Sequence, residues 1–257
     1  MRELLARPLL VVTGKGGVGK STVAAALGLA AARRGLRAVS RALAGSGAPS
    51  TFVERSVADG LSHISIDPES ALEEYLRDQL PRGVAEVIGG SRTFSYLAAA
   101  TPGLRELLTI GKVWELAQPD RRTPGAAPYD VVVLDAPATG HGVAILGAPR
   151  TFAEAARVGP VARQGRTIHE MLSDPARTGI VAVTTPEEMP VNEALELPAR
   201  LEEAVGRGLS AVVVNGMLPR RFTGPEVERL QAAGPSTPVH AALADAARAR
   251  SQRGECE

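Results

Sequence analysis

The segment Gly14-Lys15-Gly16-Gly17-Val18-Gly19-Lys20-Ser21 constrains this chain more than any other feature. It matches G-x-x-x-x-G-K-[ST] and stands between the two patterns that such a loop needs. Before it, Leu9-Leu10-Val11-Val12-Thr13 is a short apolar, partly β-branched run that reads as a buried parallel strand. After it, Lys20–Arg34 is rich in alanine and leucine, free of proline and stopped by Gly35, which reads as a helix. Glycines let the backbone curl until successive N–H groups face inward, an anion nest at the positive end of the helix that follows. Gly14, Gly16, Gly17, Val18 and Gly19 would cradle phosphates, as in ATP. Lys20 would reach the β- and γ-phosphates, the Ser21 hydroxyl would coordinate Mg²⁺, and Thr22 stands where it would contact the α-phosphate.

The rest of the chain repeats the alternation. Further strands are expected at Arg37–Ser40, Leu61–Ile66, Asp130–Asp135, Gly179–Thr184 and Leu209–Asn215, with helical stretches between most of them. Strand alternating with helix predicts an α/β fold with a doubly wound, mostly parallel sheet flanked by helices. No sharp change of composition divides the 257 residues, so residues 1–257 read as a single domain. Within it, residues 68–117 read as a helical insertion, with Leu104, Leu107, Leu108 and Trp114 at helical spacing. Arg41–Thr51 and Gln118–Pro128 read as loops.

Composition narrows the partners. A formal net charge of +1 removes the electrostatic reason to expect a nucleic acid or an anionic membrane. The one cysteine, Cys256, excludes a disulfide, a four-cysteine zinc site and a cysteine-ligated iron–sulfur cluster within one chain. No run approaches 18 uninterrupted apolar residues, so a cytoplasmic protein without a stable membrane anchor is expected. Of 29 basic residues only Lys15, Lys20 and Lys112 are lysines, and two of these stand in the glycine-rich loop.

Lys15 is unnecessary for folding that loop. The arrangement GKGGVGKST resembles the deviant P-loop of the SIMIBI class of NTPases, in which two subunits dock face to face over nucleotide. The resemblance implies that Lys15 acts in trans on charge developing at the transferred phosphoryl group, and so implies a dimer. Tyr129–Asp135 is an apolar run ending in an acid, the pattern that sets a carboxylate beside Mg²⁺ at a strand's carboxyl end. Asp135-Ala136-Pro137-Ala138-Thr139-Gly140-His141 then resembles the switch II segment of the family that contains ArsA-type arsenical pump-driving ATPases and guided-entry tail-anchored protein targeting ATPases. Ile66-Asp67-Pro68 with Ala71, Glu74 and Tyr75, Pro102-Gly103-Leu104-Arg105-Glu106, Val183–Glu187 and Val212–Asn215 are similar to further family stretches, in chain order. The resemblance implies an Mg·ATP-binding, dimer-forming ATPase with Lys15, Lys20 and Asp135 as its catalytic groups. Ser21 and Asp135 would serve as metal ligands, and Asn215 would hydrogen-bond adenine. Nucleotide state would open and close the two subunits, as a homodimer or as a heterodimer with a paralogous ATPase.

The departures from the family pattern carry expectations of their own. The family's aspartate after the second strand, which orients the attacking water, is absent from Val39–Ser46, and the next acid is Glu54. Loss of such a group costs about 10²–10⁴ in rate, so hydrolysis is expected to be slow. Cysteines for an arsenite site or a zinc-binding CxxC are lacking. The insertion corresponds to the family's hydrophobic client groove, although it contains no methionine. Two alternatives stand beside the ATPase reading. One is a non-hydrolysing ATP-binding regulatory subunit paired with an intact paralogue. The other is a positioning ATPase of the septum-site or partition kind.

Overall fold

The computed structural model describes residues 1–40, 52–79, 101–123, 125–156 and 158–256. Their strands are β1 (Leu9–Thr13), β2 (Ala38–Ser40), β3 (Arg55–Ala58), β4 (Leu61–His63), β5 (Val131–Asp135), β6 (Thr178–Thr184) and β7 (Ala211–Val214). The helices are α1 (Arg2–Leu5), α2 (Lys20–Ala32), α3 (Pro68–Gln79), α4 (Leu104–Leu116), α5 (Thr139–Ala156), α6 (Pro160–Ser173), α7 (Glu188–Val205), α8 (Gly224–Ala232) and α9 (Thr237–Gly254). One sheet runs in the order β3-β4-β2-β5-β1-β6-β7, parallel throughout except where β3 meets β4. This is the expected doubly wound α/β architecture.

The central strands are apolar along their length because helices cover both of their faces. Leu9 and Val11 of β1 pack with Val132, Leu134, Ile180 and Ala182 beneath α4, α5, α6 and α7. Leu10 and Val12 face the other way, with Val131, Val133 and Val183, beneath Ala24, Leu27 and Ala31 of α2. Small residues on that face of α2 let the helix lie close to the sheet. The chain leaves β1 toward β2 on one side and later places β6 on the other. The reversal occurs at β1, and the crevice outside the strands' carboxyl ends at such a reversal is where this architecture takes ligands.

Several boundaries differ from expectation. β4 ends at His63 rather than Ile66, and β7 is confined to Ala211–Val214. β3 had no signal: all four of its residues are exposed, so it carries no burial pattern. Among the described residues its only strand neighbour is β4. α3 and α4 fall within the expected helical insertion, whose residues 80–100 lie outside the described residues, as does the loop expected at 41–51. Asp67 of the Ile66-Asp67-Pro68 stretch starts α3, with its carboxylate accepting from the Ser70 amide at 2.8 Å and the Ser70 hydroxyl at 2.9 Å. α5 has Pro149 buried inside it. Among the described residues no helix is long and apolar enough to cross a membrane.

A buried ionic chain ties these parts together. Arg121 donates to Glu54, just before β3, and through Nε to Glu115 of α4 at 3.0 Å. Glu115 in turn pairs at 2.9 Å with Lys112, which reaches Glu74 of α3 at 2.8 Å. The side chains of Arg121, Glu115 and Lys112 are at most 5% exposed. Burial alone would raise both Glu54 and Glu115, but hydrogen bonds and charge from Arg121, Lys112 and, for Glu54, the Tyr129 hydroxyl outweigh it and hold both carboxyls below their usual range. Removing one member strands a buried charge. Arg121→Met should therefore lower unfolding free energy by about 3–5 kcal/mol in a urea titration. A carboxyl depressed in the folded state stabilises fully above its ordinary value of 4.5 and loses that contribution as pH falls through the folded value. Acidification below about pH 4.5 should thus lower the urea midpoint of the wild type more steeply than that of Glu54→Gln.

Candidate nucleotide site

The loop between β1 and α2 has the conformation that its glycines permit. Gly14 stands at φ +143°, with its α-carbon so close to β6 that a β-carbon would lie 2.1 Å from the Val183 carbonyl oxygen. Gly19, the residue before α2, has φ +89°, and a β-carbon there would lie 2.2 Å from the Asn215 amide nitrogen. Neither position admits a side chain. Gly16 and Gly17 are exposed at the mouth of the loop, whereas Val18 is buried beneath it.

The Lys20 ammonium folds back along the loop and donates to the Lys15 carbonyl at 2.8 Å. Burial lowers its pKa, and the negative charges of Asp135 and Glu193 oppose that shift. Ser21, on the first turn of α2, donates its hydroxyl to Asp135 Oδ2 at 2.6 Å. Asp135 Oδ1 is buried and has no hydrogen-bond partner among the described residues. Residues 114 apart in sequence thus present a hydroxyl and a carboxylate side by side at the mouth of an anion nest. Hard oxygen donors in that number suit Mg²⁺, which takes one or two protein groups and completes its shell from phosphate and water. Among the described residues no group of three or more His, Cys, Asp or Glu could hold a metal ion.

The other expected residues fall around this centre. Lys15 is half-buried, and Thr22 is exposed on α2. Asn215, just beyond β7, donates through Nδ2 to the Val18 carbonyl at 2.9 Å, so its amide braces the loop from the β7 side. His141 is exposed on the first turn of α5. Glu54 is held by Arg121 and by the Tyr129 hydroxyl at 2.6 Å, within the ionic chain. Arg41–Ser46 lie outside the described residues. Sequence reasoning passed over Glu193 on α7, whose charge acts on Lys20, and the buried hydroxyl of Thr13, whereas Thr139, whose hydroxyl is also buried, stands in the segment that resembles switch II. Thr13 adjoins the loop, but no spacing rule marks it.

The sequence is similar to a family of known ATPases. Residues 7–158 and 155–233 match the family described as anion-transporting ATPase. ATPase BagA of Mycobacterium tuberculosis is 31% identical over 226 residues, covering 82% of this chain and 65% of that protein. A putative arsenical pump-driving ATPase of Halobacterium salinarum is 28% identical over 232 residues, covering 83% of this chain and 36% of its own length. An arsenical pump-driving ATPase of Escherichia coli is 26% identical over 251 residues, covering 83% and 40%. The chain therefore spans 65% of the mycobacterial relative's length and 36% and 40% of the other two. The family match includes β1, the glycine-rich loop, β5 and β7, and on that ground the chain belongs to the ArsA-type family of anion-transporting ATPases.

Proposed function

We propose that this chain binds Mg·ATP in the loop between β1 and α2 and hydrolyses it slowly, with nucleotide state driving two subunits together and apart. The observation that carries the reading is the contact of Ser21 with Asp135 at the mouth of the nest, beside an unpartnered carboxylate oxygen. Gly14–Gly19 amides and Lys20 would hold the triphosphate, and Ser21 and Asp135 would hold the metal. Bound Mg²⁺ would neutralise charge on the β- and γ-phosphate oxygens. Before that, Lys20 must exchange the Lys15 carbonyl for phosphate, a charge-assisted and therefore stronger acceptor. Lys15 would close over a neighbouring subunit's nucleotide, whether that neighbour is a second copy or a paralogue.

Selection of adenine follows from how Asn215 is used. Its Nδ2 donates to Val18, which leaves Oδ1 as an acceptor, suited to the amino group of adenine and unsuited to the carbonyl of guanine. The commitment of Glu54 to Arg121 and Tyr129 favours slow turnover, because both of its carboxylate oxygens are already engaged. The same observation supports the second reading, an ATP-binding regulatory subunit that relies on a paralogue for hydrolysis. A hydrophobic client is a further proposal. It is supported by a cavity of about 90 Å³ lined by Leu72, Tyr75, Leu104, Leu108 and Ile168 between α3, α4 and α6, large enough for one apolar side chain.

Titration calorimetry with Mg·ATP tests the central reading. The wild type should bind, and Lys20→Ala should bind about 10–150-fold more weakly, the equivalent of one charge-assisted hydrogen bond of about 1.5–3 kcal/mol. Absence of heat with the wild type would dismiss it. Turnover by the purified chain should stay below about 1 per second, and stimulation by a paralogue would favour the regulatory reading. Asn215→Ala should reduce the preference for ATP over GTP by about tenfold, read as the ratio of the two dissociation constants. Lys15→Ala should keep nucleotide binding but lose the nucleotide-dependent increase in mass seen by light scattering.

A further inference from the structure

The two faces of the sheet divide the site. Asp135 lies on the α2 side with Val131 and Val133, and Ser21 meets it there. Thr13 extends the Leu9 and Val11 side, the face covered by α5. Its hydroxyl is buried and has no hydrogen-bond partner among the described residues, and the same holds for Thr139 on the first turn of α5. The two residues are 1% exposed. Buried hydroxyls are nearly always paired, so two left unpaired at one end of the sheet require an explanation. Between them the backbone approaches closely: a β-carbon on Gly142 would lie 2.8 Å from Thr13 Oγ1 and 3.1 Å from the Pro137 carbonyl oxygen. The bare α-carbon of Gly142 is what lets the start of α5 lie against Thr13.

We infer that Thr13 is a positioning residue for α5, its hydroxyl acquiring a partner in the first turn of that helix when nucleotide draws Thr139 toward the loop. The inference rests on the Mg·ATP reading. In the arrangement described here each hydroxyl bears an uncompensated burial cost. An arrangement that pairs them is favoured by that difference, and nucleotide selects it by binding it more tightly. Thr13 touches neither phosphate nor metal in this scheme. It acts through α5, which begins four residues after Asp135.

The test uses Thr13→Val, which keeps the shape and removes the hydroxyl, with Thr13→Ser as rescue. Hydrogen exchange of the Thr139–Ile145 amides is followed with and without Mg²⁺ and a slowly hydrolysed ATP analogue, and calorimetry reports binding separately. The wild type should gain protection in this turn on binding. Thr13→Val should bind the analogue within about tenfold of wild type yet gain little protection, with turnover reduced about tenfold, and Thr13→Ser should restore both. Gly142→Ala, which keeps the hydroxyl but blocks the close approach, should reproduce the loss of protection and serves should Thr13→Val fail to fold. Wild-type protection and turnover in Thr13→Val, or failure of Thr13→Ser to rescue, would overturn the inference and leave Mg·ATP binding intact. A wild type that does not bind would overturn both.

Discussion

The backbone of the glycine-rich loop is clamped at both ends, and the rest of the site is arranged around that clamp. Gly14 is pressed against a carbonyl of β6 and Gly19 against the amide of Asn215 beyond β7. The loop's shape is therefore imposed by the two strands on one side of β1. The opposite side, through β5, supplies the acid that meets Ser21. A parallel sheet suits this task because its strand ends all open on one edge, and the order of the strands brings the ends of β5, β1, β6 and β7 side by side.

The remainder of the molecule holds that edge steady. On the α2 face small side chains allow close packing of the helix that begins at the loop. On the other face α4, α5, α6 and α7 form a thicker layer, and within it a line of charges runs from Glu54 through Arg121, Glu115 and Lys112 to Glu74. Each member of so deeply buried a chain is costly alone, because loss of its partner leaves an uncompensated charge. Here the ion pairs join the residue before β3 to the pair α3 and α4, elements that the sheet itself does not connect.

What could be read from the sequence follows from which physical signals were periodic. β1, β5 and β6 are buried on both faces and announce themselves as unbroken apolar runs. The glycine-rich loop was legible because its spacing is dictated by backbone geometry, and Asp135 because it ends such a run. β3 was illegible for the opposite reason: Arg55, Ser56, Val57 and Ala58 are all exposed, and the salt bridge just before the strand depends on Arg121, 67 residues away from Glu54. Glu193 and Thr13 escaped notice because single residues brought together by the fold leave no local pattern. Glu54 looked like an acid in reserve, and only its contacts with Arg121 and Tyr129 reveal its task.

Pro149 gives α5 a mechanical asymmetry. It offers no amide to the Ile145 carbonyl, so the helix lacks one rung of its ladder about two thirds of the way along. A rod missing a rung yields there first. The ten residues from Thr139 to Ala148 precede the missing rung, so the part of α5 that begins near Asp135 is joined to the stretch beyond Pro149 by a weaker backbone ladder than the rest of the helix.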